Sequence, residues 1–241
     1  MPVIVFASSK GGAGKTTACT VLACELARQG SEKNIKVSIV DADPERNLSA
    51  WASLEGKPNN ITIFNDVSES NILDVIEEAR REAPFVLVDL EGVASNTVTF
   101  ALSQADLVII PCQASQMDAN KAVKVIKMIK NNSRMIQREI PFAVLFNRLS
   151  AAIVTKTGKH LAGEFSSGGV DVFRCSLIER ECYKSIFSYG GSVNNLEANS
   201  RREQESIDKA AENAMLFAEE VKSRLKEGIE KSKKLREATH V

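Results

Sequence analysis

Nine residues, Ser9-Lys10-Gly11-Gly12-Ala13-Gly14-Lys15-Thr16-Thr17, follow directly on the apolar run Pro2 to Ala7. Val3, Ile4, Val5 and Phe6 read as a short buried strand, the glycines as a tight turn, and Thr16 to Gln29 as the helix behind it. A strand that feeds a glycine loop and then a helix is the setting in which a Gly-Lys-Thr triplet holds phosphate. Backbone N–H groups converge in such a loop, and the helix amino end adds partial positive charge, so the main chain carries most of the binding. Side chains on the glycines would block that approach. In this reading Lys15 reaches the β- and γ-phosphates and the Thr16 hydroxyl ligates Mg²⁺. Gly11, Gly12, Ala13, Gly14 and Thr17 complete the cradle.

Two features depart from the common G-x-x-x-x-G-K-[ST] pattern: Ser9 stands at the first glycine, and a second lysine, Lys10, precedes the glycine pair. The lysine is a cation able to compensate phosphate charge within its own chain or across an interface. The run from Lys10 to Thr17 resembles the deviant Walker A box of the ParA/MinD group of P-loop ATPases. That resemblance implies a sandwich homodimer formed with ATP, in which Lys10 reaches the nucleotide of the partner.

With 241 residues, the chain is long enough for one α/β unit with a sizeable core, expected to span 1–241 with a charged helical tail over about 201–241. Lysine plus arginine balances aspartate plus glutamate at 31 each, so no global field draws the chain to nucleic acid and any such binding must use local patches. The five cysteines include no C-x-x-C pair and the two histidines stand apart, which argues against structural zinc and against a disulfide framework. Cys19 and Cys24 fall in the first helix as small hydrophobes. A strand begins at once and no apolar run approaches membrane-spanning length, so the expectation is a cytoplasmic protein with neither signal peptide nor membrane partner.

Lys36 to Val40 is a second apolar strand and leads into Asp41-Ala42-Asp43-Pro44. Pro44 ends the ladder, which leaves both carboxylates at the strand's carboxyl end, where ligands sit in open parallel sheets. A helix-capping turn is the bland alternative for these acids. Asn47, Leu48 and Trp51 continue as a short helix whose Trp packs. Ile61 to Phe64 is a strand, and Ile72, Val75, Ile76 and Ala79 mark one face of a helix ending near Arg81. Phe85-Val86-Leu87-Val88-Asp89 is a buried strand finishing on an acid. Glu91 after it reads equally as a general base or as a solvated loop acid.

Leu107 to Pro111 and Phe142 to Phe146 are further core strands, the second ending in Asn147-Arg148. Between them lies a helix with Lys121, Lys124, Lys127 and Lys130 on a solvated face and Val123, Ile126 and Ile129 as its apolar partners. In the last stretch Phe217, Val221, Leu225 and Ile229 repeat every four residues as a packing stripe, and Gly228 marks a weak point after which the helix frays.

The order of these segments is similar to that of the small plasmid-partition ATPases from residue 3 to about residue 197. The resemblance implies a doubly wound α/β fold with a mostly parallel sheet, helices on both faces and a helical carboxyl-terminal segment. By the same resemblance, Asp43 positions the attacking water, Asp41 and Asp89 organise Mg²⁺ partly through water, and Asn147 with Arg148 meets the adenine. The departures there are Leu90-Glu91-Gly92, where many relatives carry Asp-x-Pro-Pro. The implied function is an ATP-dependent DNA-segregation ATPase with slow, partner-stimulated hydrolysis and ATP/ADP and Mg²⁺ as cofactors. Nonspecific DNA would be met by basic residues of the carboxyl third, with Lys184, Arg201 and Arg202 as candidates, and the ATP-bound form would be nucleoid-associated. No stretch precedes the loop that could hold a helix-turn-helix, so site recognition is expected from a centromere-binding adaptor, ParB-like or of the small ribbon-helix-helix type. The chain end offers only Leu235 and Val241 as bulky apolar residues, too few for a MinD-like membrane helix, and Cys112 has no mate for an iron–sulfur cluster. The alternatives are a nucleotide-gated scaffold that recruits another machine to a DNA site or cell pole and, further off, a P-loop kinase or synthetase.

Overall fold

A computed structural model describes residues 1–9, 11–92, 95–149 and 156–239. Among the described residues the chain alternates strand and helix. The order is β1 (Val3–Phe6), α1 (Lys15–Gln29), β2 (Val37–Ala42), α2 (Asn47–Ala52), β3 (Ile61–Phe64), α3 (Ile72–Glu82), β4 (Phe85–Leu90), α4 (Asn96–Gln104), β5 (Leu107–Gln113), α5 (Gln116–Met135), β6 (Phe142–Leu149), α6 (Lys156–Ser167), β7 (Leu177–Ile178), α7 (Glu181–Tyr189) and α8 (Arg201–Thr239). The strands form one sheet in the order β3-β2-β4-β1-β5-β6-β7, and every pairing is parallel.

A parallel sheet covered on both faces needs apolar residues at every strand position. In β1 Val3 and Val5 face a core shared with α3, α4, α5 and α6, while Ile4 and Phe6 face one shared with α1, α2, α7 and α8. That is why Val3 to Phe6 reads as an unbroken apolar run. Because β1 lies between β4 and β5, its loop leaves the centre of the sheet at the carboxyl edge.

Several strands run further than their apolar runs. β2 continues through Asp41, which pairs in register with Asp89 of β4. β5 continues through Pro111 to Gln113. The Ile109 carbonyl faces β1, accepting from the Ala7 amide at 3.1 Å, so Pro111, two residues on, faces the same side. There β1 has already turned into its loop, and the missing proline N–H breaks no ladder.

In α5 the buried positions include Ala122, Val125, Ile126 and Ile129, at the three-four-seven spacing of a helix face, whereas Val123 is exposed. A strict three-residue step drifts around the helix and leaves that face. α8 passes through Gly228 to Thr239 without a break. One glycine costs about 1 kcal/mol of helix propensity, which a helix of this length absorbs. Phe217, Val221 and Leu225 are buried, but Ile229 is 51% exposed, so the packed stripe ends at Leu225. Glu220 and Arg224 pin this part of α8 to the chain before β7. The Glu220 carboxylate accepts from the Arg174 and Cys175 amides at 2.9 Å each, and Arg224 lies 4.5 Å over the Phe173 ring. Every cysteine is free, and burial pushes the thiols up, those of Cys24 and Cys112 to about 12.

Candidate functional site: a phosphate cradle and a base cavity

The loop behind β1 is shaped by left-handed backbone at Gly12 (φ 73°) and Gly14 (φ 90°), after which α1 begins at Lys15. No side chain caps the amino end of α1 and no acid lies in its first turn, so its free N–H groups face the loop unneutralised. Gly14 answers a second demand: a Cβ there would meet the side-chain amide nitrogen of Asn147, which itself donates to the Ala13 carbonyl. The end of β6 is thereby bolted to the loop. Lys15 is 6% exposed. Lys10 lies outside the described residues.

Beside the loop is a cavity of about 440 Å³ lined by Gly11, Gly12, Lys15, Thr16, Asp43, Glu91 and Arg148, among others. From its lining the Thr16 hydroxyl donates to Asp89 Oδ2 at 2.7 Å. Asp41 Oδ2 accepts from the Ser49 amide at 2.9 Å and the Ser49 hydroxyl at 2.6 Å. The remaining oxygens, Asp41 Oδ1 and Asp89 Oδ1, are buried with no hydrogen-bond partner among the described residues. Burial pushes the Asp89 carboxyl up to about 7, against the pull of the Thr16 hydroxyl and Lys15. Two orphaned oxygens on carboxylates paired in register, one of them bonded to a hydroxyl, form an all-oxygen donor set of the kind a hard cation satisfies, so the residues present fit Mg²⁺. Asp43 stands just past β2, holding the Glu45 amide at 3.0 Å while it lines the cavity. Ser49, which locks Asp41, carries no signal in the sequence. It lies eight residues downstream, and only the return of α2 over the strand end brings it near. Glu91 lines the same cavity.

A second cavity, of about 220 Å³, opens between the end of β6 and α7. Leu177, Ile178, Tyr183 and Phe187 are its apolar walls, with Glu179, Arg180 and Lys184 also lining it. Asn147 is 3% exposed, and with its amide nitrogen engaged at Ala13 its Oδ1 is left buried and unpartnered. A register shift between Asn147 and Leu149 accompanies left-handed backbone at Arg148 (φ 51°), which lines both cavities. Lys184, expected at DNA, lies in the wall of this cavity, 3.8 Å from Glu179 and 3.3 Å from Glu181. Arg201 and Arg202 open α8 in solvent, the former 3.3 Å from Glu205. No ion pair or hydrogen bond among the described residues links Lys184 to these two arginines.

This arrangement, a central glycine loop behind β1 with acids at the ends of β4 and β2, accompanies a family match. The family model described as VirC1 protein matches residues 1–231. The chain belongs to the VirC1 family. This VirC1-family chain is 38% identical over 229 residues to Protein ParA of Rhizobium radiobacter, covering 95% of this chain and 100% of that protein. It is 26% identical over 195 residues to Protein virC1 of Rhizobium rhizogenes, with 79% and 82% covered. Among solved structures, an ATP complex of a Cyanothece McdA variant superposes with a TM-score of 0.71 at 16% identity, covering 92% of this chain and 96% of that one. The last is a likeness of fold. The VirC1-family protein is thus a P-loop ATPase of the ParA/MinD type.

Proposed function

We propose that this VirC1-family ATPase is a DNA-partition switch, in which Mg·ATP drives a sandwich homodimer that binds nonspecific DNA and adaptor-stimulated hydrolysis releases it. The observation that carries the reading is the pair of orphaned, buried oxygens, Asp41 Oδ1 and Asp89 Oδ1, on two carboxylates paired in register, the second of them bonded to the Thr16 hydroxyl behind the loop. Thr16, with Asp89 and Asp41 in part through water, would hold Mg²⁺, which when bound neutralises charge on the β- and γ-phosphates. The loop and the free N–H groups of α1 orient the triphosphate, and Lys15 adds a buried cation next to it. Asp43 orients water and Lys10 supplies charge from the partner. Positioning and electrostatics are the catalytic terms available here. Lys184, Arg201 and Arg202 are the proposed DNA contacts, and the adaptor is a centromere-binding protein. No helix among the described residues is long and apolar enough to cross a membrane, and the proposed location of the ATP form is the nucleoid.

At the base, Asn147 offers its buried, unpartnered Oδ1 as an acceptor, which matches the exocyclic amine of adenine and opposes the carbonyl of guanine. ATP is expected to displace a fluorescent nucleotide at a concentration at least about tenfold lower than GTP. Equal displacement would remove Asn147 from base reading.

The switch is tested by light scattering and random-sequence DNA binding with ADP and with ATP, on wild type, Lys10→Ala and Asp43→Ala. Dimers that coat DNA only with ATP, lost in Lys10→Ala and persistent in Asp43→Ala, are the expected result. A monomer with either nucleotide and no DNA affinity would reject the switch.

A further inference from the structure

Among the described residues the two-residue strand β7 ends the sheet and pairs with β6 alone. Peptide groups alternate sides along a strand, so the Ser176 carbonyl and the Ile178 amide face away from β6 together. An eighth strand would normally satisfy them. Here α8 does so with one side chain: Asn213 Oδ1 accepts from the Ile178 amide at 3.1 Å, and Asn213 Nδ2 donates to the Ser176 carbonyl at 2.8 Å. A primary amide carries the same donor and acceptor as a peptide unit, so Asn213 closes the open edge as a one-residue strand. Three residues earlier on the same face of α8, the Ala210 carbonyl accepts from the Tyr183 hydroxyl at 3.0 Å, with Asn213 Oδ1 3.3 Å from that hydroxyl. Leu177, Ile178 and Tyr183 are apolar walls of the base cavity. A single turn of α8 therefore suspends most of that wall.

The geometry points to Asn213 as a positioning residue for the nucleotide base, acting through β7 and Tyr183 without touching the nucleotide. This rests on the nucleotide reading of the two cavities. It goes beyond that reading by assigning α8, remote in sequence from every motif, a part in base affinity. The triphosphate is held by the loop at residues 11–17, whose backbone donors lie on the loop and the start of α1 and not on β7. Loss of Asn213 should thus loosen the base and leave the phosphates alone.

The experiment compares Mg·ATP and Mg·triphosphate, the inorganic chain without base or ribose, on wild type and Asn213→Ala by calorimetry, with steady-state hydrolysis alongside. ATP affinity is expected to fall about tenfold, from the edge bonds lost, and KM to rise with kcat unchanged, while triphosphate affinity stays level. A parallel loss of ATP and triphosphate, or of kcat, would mean that Asn213 merely supports the fold, and no loss at all would also overturn the assignment. Wild type that fails to bind ATP would instead reject the nucleotide reading itself. Should Asn213→Ala not fold, hydrogen exchange in the wild type decides: the Ile178 amide must gain protection with ATP and not with triphosphate. Equal protection by both would overturn the inference.

Discussion

Gly14→Ala is expected to lower ATP affinity at least about a hundredfold and to destabilise the protein by about 2–3 kcal/mol. Two independent costs meet at this position. The backbone stands at φ 90°, where an L-residue is strained by about 1–2 kcal/mol. The new methyl would also press on the amide of Asn147, a buried residue that ties β6 to the loop through the Ala13 carbonyl. Asn147 cannot yield without leaving a buried carbonyl unpaired. Denaturant unfolding and nucleotide titration check both parts. A double variant, Gly14→Ala with Asn147→Gly, is expected to regain the steric part of the stability loss and to keep the backbone part, giving a measurable coupling energy. Wild-type affinity in Gly14→Ala would mean that the loop is not the phosphate cradle.

The second large effect runs against intuition: Asp89→Asn should abolish hydrolysis and yet stabilise the metal-free protein at neutral pH. Burial raises the Asp89 carboxyl from an ordinary 3.8 to about 7 in the folded state. Between pH 4 and 7 the folded chain therefore holds a proton that the unfolded chain has released. Stability contributed by this group is greatest below pH 4 and declines as pH climbs through that window, by up to about 4 kcal/mol. The amide that replaces the carboxyl has no such titration. In chelator the variant and wild type should unfold alike near pH 4, and the variant should gain by a few kcal/mol at pH 8. Mg·ATP should reverse the order, since a ligand that binds the folded wild type stabilises it by mass action and the variant lacks the carboxylate. A difference between the two proteins that does not change with pH would refute the burial argument. If the variant keeps its hydrolysis rate, Asp89 has no part in holding the metal.

Much of the architecture is legible in the sequence because parallel strands buried on both faces leave unbroken apolar runs, as at Val3 to Phe6 and Phe85 to Val88. Their ends are less legible. Strand pairing is set by the neighbour, so β2 and β5 continue past their last apolar residue for as long as β4 and β6 run beside them. Val123, which the lysine-helix spacing assigns to a core face, is exposed, because an arithmetic step of three is not the 3.6-residue period of a helix. In α8 the apolar stripe continues in sequence to Ile229 but packs only as far as Leu225.

The sequence by itself determined the local chemistry: a glycine loop between strand and helix, a lysine and threonine at its close, and acids at the ends of apolar strands. These are properties of neighbouring residues, fixed by backbone geometry and by the period of burial. Only the tertiary structure decided what each group faces. It left one oxygen each of Asp41 and Asp89 buried without a donor, turned the Asn147 amide so that its acceptor remains free, and set Ser49 on Asp41. It also brought Asn213 across 35 residues of chain to the edge of β7. Hydrogen-bond partners so far apart in the chain have no spacing by which they can be recognised. The order of the strands and the packing of α8 on the sheet choose them, and those depend on the burial of every apolar face at once.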